Sequence, residues 1–189
     1  MKYISVGPLC ISALSMNRTG HRRASYPFDW TFSDLDMVKD CIETKFEHFL
    51  NKDNIVRTHT DRSTNTHYQH HCEHNIFNHH DLTLPHVHLM YVNRCERFLK
   101  DIEEGAFLIY TTPCETYQRD IDRIVRFSCF VKDRFPKSRF VVLLLKNDQG
   151  TTGFVANMIT TYLCIFTLSD NEASFKQIMD MLPGAMTTR

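Results

Sequence analysis

The chain has 189 residues, which is enough for one domain with a substantial core and argues against a second full domain. Its hydrophobic fraction of 42% excludes a disordered chain, and we expect a single domain over residues 1–189. The 22 lysines and arginines are balanced by 22 aspartates and glutamates, and this balance disfavours nucleic-acid binding.

The sequence also bears on the cellular compartment. No apolar run reaches the roughly 18 residues of a membrane span, so we expect no membrane association. The opening MKYISVG is too short for a signal peptide. Seven cysteines at irregular spacings, with no CxxC pair, predict reduced thiols and a cytoplasmic protein. A local basic stretch, RTGHRR (18–23), could meet a phosphate or an acidic partner, but a solvated loop is the simpler prediction.

The first half of the chain gives a strand, two helices and a long polar segment. A first strand is predicted over residues 2–7, and a helix follows from about residue 9 to Gly20. Asp34 is the predicted N-cap of a second helix, whose apolar residues continue at near-helical spacing to residue 49. Residues 51–75 are polar and lack periodicity, which predicts a long loop.

The second half alternates more regularly between strands and helices. The apolar run RFVVLLLK (139–146) is typical of a strand that is buried on both faces. The other predicted elements are strands at 106–112 and within 154–168, where ITTYLCIFTL (159–168) is the favoured part, a turn at 147–153, and helices at 87–103, 115–134 and 174–182. This alternation predicts an α/β domain with a mostly parallel central sheet flanked by helices.

Cys10 follows the first strand directly, at the edge where parallel sheets place their ligands. Gly7 and Pro8 make a tight turn before it, and a helix begins close to the sulfur. A helix N-terminus offers free N–H groups and a partial positive charge, which favour a thiolate and can hold an oxyanion. Cys10 is therefore a candidate nucleophile, although a cysteine early in a helix is more often simply packed.

Eight of the eleven histidines lie between residues 67 and 88, with Cys72 among them. One hypothesis is a zinc site, because histidine and cysteine are ligands that zinc prefers. The stretch has neither a CxxC pair nor an HExxH motif, so a polar, histidine-rich loop is the simpler interpretation. Within it, NIFNHHD (75–81) places a His–Asp pair directly after an apolar segment, where a base for the cysteine could lie.

Together these motifs resemble a known family. SVGPLC (5–10), followed by Ala13, Leu14 and GHRRASYPFDW (20–30), is similar to the opening of a papain-like cysteine peptidase family that is filed as a domain of unknown function. The resemblance covers about residues 3–112 and continues through FNHHDLT (77–83) and YVNRCERFL (91–99). The chain differs from the family pattern in Val6, where leucine is usual, and in Leu82, where an aromatic residue is usual.

The resemblance implies a thiol hydrolase or transferase that acts on a peptide or protein substrate. It implies Cys10 as the nucleophile and His80 as the base, with the adjacent His79 as the alternative base. Asp29, in PFDW, is the first choice for the acid that orients the imidazole, with Asp81 and Asp148 as the other choices. No cofactor and no metal are implied.

Other roles are open for several of these residues. Phe28 and Trp30 could fill the core while Asp29 caps a turn. Arg94 and Arg97 lie three residues apart on one helical face, where they could bind a substrate anion. They could equally pair with acidic residues of the same helix, Asp101 and Glu104.

Two questions follow from the resemblance. A papain-like fold is α+β, so the family name implies that class while the periodicity predicts α/β. The same scaffold could also serve as a non-catalytic binding or effector protein, with the histidine-rich stretch as its interaction surface. Members of the family occur in bacteria and in large DNA viruses, which is compatible with an effector that acts on a host.

Overall fold

The computed structural model describes residues 2–8, 10–71, 76–146, 154–160, 162–169 and 172–185. Its strands are β1 (Tyr3–Ser5), β2 (Ile55–His59), β3 (Arg62–Asn65), β4 (Phe107–Pro113), β5 (Arg139–Lys146), β6 (Phe154–Ile159) and β7 (Leu163–Ser169). Its α-helices are α1 (Ile11–Arg18), α2 (Leu35–Glu43), α3 (Glu47–Leu50), α4 (Pro85–Glu104), α5 (Cys114–Arg134) and α6 (Glu172–Ala185). No helix among the described residues is both long and apolar enough to cross a membrane.

Five strands form one central sheet in the order β1-β4-β5-β7-β6. The first four are parallel, and β6 pairs antiparallel with β7 at the edge. The predicted α/β class with a mostly parallel sheet is therefore confirmed, and the α+β alternative is not. Because parallel strands end at the same edge, the starts of α1 and α5 lie on one side of the molecule.

Side chains of the sheet alternate between two apolar layers. On one face, Phe107 and Ile109 pack with residues of α1 and α6. On the other face, Leu108 and Tyr110 pack with residues of α2, α4 and α5. Since both faces are covered, the strands have the continuous apolar runs from which they were predicted.

The predicted long loop at 51–75 is wrong over residues 55–65, because β2 and β3 form an antiparallel hairpin there, and residues 72–75 lie outside the described residues. The inward positions of β3 are the buried polar residues Ser63 and Asn65. The Asn65 side-chain amide donates to the carbonyls of His48 and Phe49, at 2.9 and 3.2 Å. Hydrophobic periodicity cannot detect a strand that is held by hydrogen bonds of this kind.

Two other predictions needed correction. The single strand expected within 154–168 is two strands, β6 and β7, and β7 covers most of the favoured part, 159–168. The predicted turn at 147–153 lies outside the described residues. The second helix is correctly capped by Asp34, whose carboxylate accepts the Met37 N–H at 2.8 Å. It ends at residue 43, however, and a new helix begins at residue 47.

The end of α2 is a Schellman motif. The N–H of Lys45 donates to the Ile42 carbonyl, and the N–H of Phe46 donates to the Cys41 carbonyl. Lys45 and Phe46 both have positive φ values, 52° and 64°. The motif turns the chain so that Phe46 is fully buried beside Phe28 and Phe98.

Lys45→Gly is expected to raise the free energy of unfolding by about 0.5–1 kcal/mol, because glycine has no Cβ penalty at positive φ. Lys45 is exposed, so the substitution removes little packing. The matched control is Lys100→Gly, an exposed position inside α4, which should lower the free energy of unfolding by about 1 kcal/mol. Denaturant unfolding measures both, and an equal loss in the two variants would contradict the role given to the motif.

Candidate functional site

Gly7 shapes the turn that leads from β1 to Cys10. Its φ is +97°, and a Cβ on this residue would lie 2.5 Å from Ser33 Oγ and 3.0 Å from the Ser33 carbonyl oxygen. The Ser33 N–H donates to the Pro8 carbonyl at 3.3 Å. This close approach brings the segment after PFDW next to Cys10, which is half-buried and directly precedes α1.

A second connection brings the segment that carries His79 next to the segment after PFDW. The Phe32 N–H donates to the Ile76 carbonyl at 3.0 Å, and Phe77 pairs with Ser63 of β3. The resulting pocket has a volume of about 60 Å³ and is lined by Cys10, Trp30, Thr31, Phe32, Asn78 and His79. The structure therefore brings Cys10 and His79 to one pocket.

His80, the base that the family resemblance implies, faces α4. Its Nδ1 lies 3.1 Å from the hydroxyl of Tyr91, a fully buried residue. Burial lowers the pKa of His80 to about 4, with smaller contributions from the charges of Arg94 and His79. The ring is therefore neutral at pH 7. His80 follows the pocket residue His79 directly but is not among the residues that line the pocket.

Asp29 is fully buried and bound to Arg22. Its Oδ2 accepts from Arg22 Nε at 3.1 Å, from Arg22 Nη2 at 2.7 Å and from the Tyr26 N–H at 2.9 Å. Burial raises the pKa of the Asp29 carboxyl, although the Tyr26 N–H and Arg22 favour its charged form. The expected contact of Asp29 with a histidine is replaced by this ion pair.

Arg22 links Asp29 to the pocket. Its guanidinium lies 5.6 Å from the centre of the Trp30 ring, and Trp30 meets His79 edge-on at 6.1 Å. Within the stretch 18–23, which was predicted to be a solvated loop, Arg22 is an exception, because its side chain is only 15% exposed. Nothing in the sequence pattern distinguishes Arg22 from the exposed Arg23 beside it.

The other two candidate acids have different surroundings. Asp81 is buried, and its carboxylate binds Arg57 of β2 at 2.7 Å and the hydroxyl of Thr83 at 2.6 Å. These contacts connect the segment that carries the two histidines to the β2–β3 hairpin. Asp148 lies outside the described residues.

Arg94 and Arg97 differ in exposure although they share a helical face. Arg94 is 8% exposed, and its guanidinium lies 4.9 Å from the centre of the Tyr91 ring. Arg97 is exposed and donates to the Ser25 carbonyl at 2.8 Å. The acidic residues considered as their partners, Asp101 and Glu104, both bind Lys2.

Several residues of the histidine-rich stretch have structural partners. His71 Nδ1 lies 3.0 Å from Asp34 Oδ1, and His88 Nε2 lies 2.8 Å from the Leu50 carbonyl. In the part of the chain that the structure describes, no three His, Cys, Asp or Glu side chains group as potential metal ligands. Cys72 and His74 lie outside that part, so the zinc hypothesis is not tested at those two positions.

Tyr91 is a further residue that sequence reasoning missed. The sequence places it only within the helix predicted over residues 87–103. A buried tyrosine usually finds a hydrogen-bond partner for its hydroxyl, and a histidine lies eleven residues earlier. This general rule is the one feature from which the contact between Tyr91 and His80 could have been predicted.

Arg22→Met is expected to lower the free energy of unfolding by about 3 kcal/mol, because it leaves the Asp29 carboxylate buried without its cation. The matched control is Arg23→Met at the exposed neighbouring position, where the change should be within about 0.5 kcal/mol. The loss should shrink as the pH is lowered, since burial raises the pKa of Asp29 and the folded variant takes up a proton before the unfolded chain does.

Denaturant unfolding across a pH series measures this effect, and the double variant Arg22→Met/Asp29→Asn should recover most of the loss. A loss that grows on acidification would contradict the assignment of Arg22 as the counterion of Asp29.

One comparison with known proteins, the match to a family model, agrees with the resemblance. A search of curated proteins and a search of solved structures each gave no significant match to the chain. The model of the family described as "Putative papain-like cysteine peptidase" matches residues 1–150, which include the pocket and both histidines of the FNHHDLT motif. The chain belongs to this family.

Proposed function

We propose that the protein is a cysteine hydrolase that cleaves an acyl bond in a peptide or protein substrate, with Cys10 as its nucleophile. The observation that carries the proposal is that Cys10 and His79 line the same pocket at the carboxyl edge of the parallel sheet. Family membership supports peptidase chemistry. We further propose a cytoplasmic location, because a thiol nucleophile must remain reduced.

The position of Cys10 suits nucleophilic attack. The first N–H groups of an α-helix have no intrahelical partner, so the start of α1 favours an anion on the sulfur or on a substrate oxygen. In the reaction we propose, imidazole accepts the thiol proton and Sγ attacks the carbonyl carbon. The tetrahedral intermediate collapses to a thioester as the imidazolium protonates the leaving amine. Water then hydrolyses the thioester and restores the thiol.

We assign the base to His79 in preference to His80. His79 is exposed and lines the pocket together with Cys10, so its ring is accessible from the side on which the sulfur lies. The pKa of His80 is about 4, which makes this ring a weak proton acceptor at pH 7. The family resemblance implied His80, and the experiment below separates the two.

Asp29 then acts as a positioning residue. It holds Arg22, Arg22 packs on Trp30, and Trp30 meets the ring of His79 edge-on. The PFDW motif thus supports the ring of His79 through the ring of Trp30. Arg94 is not proposed as a substrate contact, because its side chain is buried against Tyr91.

The test is competitive labelling of the folded protein with limiting iodoacetamide, followed by mapping of the modified cysteines. Cys10 should react first and faster than Cys129, which is exposed on α5 and serves as the internal control. His79→Ala should slow the labelling of Cys10 at least about tenfold and leave Cys129 unchanged. His80→Ala should have the smaller effect on Cys10.

Hydrolysis of a peptide library gives the second readout. Cys10→Ser should abolish turnover, and His79→Ala should lower it by about 10²-fold or more, the usual contribution of a general base. Prior labelling of Cys129 or Cys114 would overturn the proposal. A larger effect of His80→Ala than of His79→Ala on both readouts would mean that the base is His80 and not His79.

A further inference from the structure

We propose that Tyr91 is a positioning residue that fixes the tautomer of His80, so that His80 is a neutral hydrogen-bond donor through Nε2. The catalytic meaning of this inference rests on the proposed function, since it leaves the transfer of protons to His79. The tautomer itself is a property of the folded chain and can be tested without a substrate.

The first step is the contact between the two side chains. Tyr91 is fully buried on α4, and its hydroxyl lies 3.1 Å from His80 Nδ1. One hydrogen lies between these atoms, so either the hydroxyl donates to Nδ1 or an N–H at Nδ1 donates to the hydroxyl oxygen. The second arrangement leaves the phenolic hydrogen in need of a different acceptor.

The groups around Tyr91 favour the first arrangement. Arg94 lies over the ring at 4.9 Å, and a guanidinium offers only donors. Its positive charge also opposes a positive charge on the nearby imidazole. The other ionisable groups that act on Tyr91 are the Cys95 thiol on α4 and the Asp29 carboxyl before α2. The Asp29 carboxylate accepts from Arg22 and Tyr26 through Oδ2, and its buried Oδ1 has no hydrogen-bond partner, so the Tyr91 hydroxyl does not donate to Asp29.

Protonation of the two rings agrees with this arrangement. Burial raises the pKa of the Tyr91 phenol, so its hydroxyl keeps the hydrogen that it donates. His80 carries a single ring hydrogen at pH 7, because burial lowers its pKa to about 4. With Nδ1 accepting from Tyr91, that hydrogen lies on Nε2. A ring in this state can donate a hydrogen bond through Nε2, but Nε2 cannot accept the thiol proton.

The experiment is long-range ¹H–¹⁵N correlation spectroscopy of the full chain with ¹⁵N-labelled histidine, with the His80 signals assigned by their loss in His80→Gln. At pH 7 the wild-type ring should show the Nε2–H tautomer. Tyr91→Phe removes the donor to Nδ1 and should give a mixture of tautomers. Tyr68→Phe is the matched control, because this buried tyrosine bonds to Asp40 instead.

A titration tests the contribution of Arg94. In wild type the His80 signals should titrate with a midpoint near 4, and Arg94→Met should move that midpoint up toward the ordinary value of 6.5. Arg97→Met, at the exposed position one turn further along α4, should leave the midpoint unchanged.

An Nδ1–H tautomer in the wild-type protein overturns the inference. An unchanged His80 tautomer in folded Tyr91→Phe also overturns it, and if that variant does not fold, the wild-type spectrum alone decides. An Nδ1–H tautomer together with rapid labelling of Cys10 means that this inference alone is wrong. An Nε2–H tautomer together with an unreactive Cys10 means that the proposed function alone is wrong.

Discussion

The close approach of Gly7 to Ser33 is the constraint on which the rest of the site depends. Only a residue without a Cβ allows the β1–α1 turn to lie against the Ser33 carbonyl at this backbone conformation. That contact places Trp30, Thr31 and Phe32 beside Cys10. The sheet thus positions Cys10 through a short connection, and the segment that precedes α2 forms one wall of the pocket.

A buried charge pair gives the PFDW motif its physical meaning. Phe28 belongs to the aromatic core, whereas Asp29 brings a carboxylate into that core and needs a cation there. Arg22 supplies the cation and also covers one face of Trp30. Such buried ion pairs add little net stability over an apolar replacement, but they restrict the two side chains to one arrangement. We infer that this pair fixes the wall of the pocket more than it stabilises the fold.

The sequence predicts those parts of the molecule that are set by apolar burial. The strand over residues 139–146 coincides with β5, because both faces of the sheet cover it. The β2–β3 hairpin could not be predicted, since Asn65 holds it through amide hydrogen bonds. The place of Cys10 after β1 made it the candidate nucleophile, and the structure puts it in the lining of the pocket. His79 and His80 could not be separated, because no regular element around them gives a periodicity from which the direction of either ring follows.

The salt bridge between Arg57 and Asp81 has one further consequence. It ties the two histidines to the outlying hairpin, whereas the sulfur is carried by the central sheet. The two halves of the candidate site therefore belong to different structural layers, and a small, polar hairpin opens at a lower free energy than a buried sheet. Because the histidine segment is also held by the hydrogen bond from Phe32 to Ile76, local opening of the hairpin would remove one of the two supports of the base while the sheet that carries the sulfur stays intact.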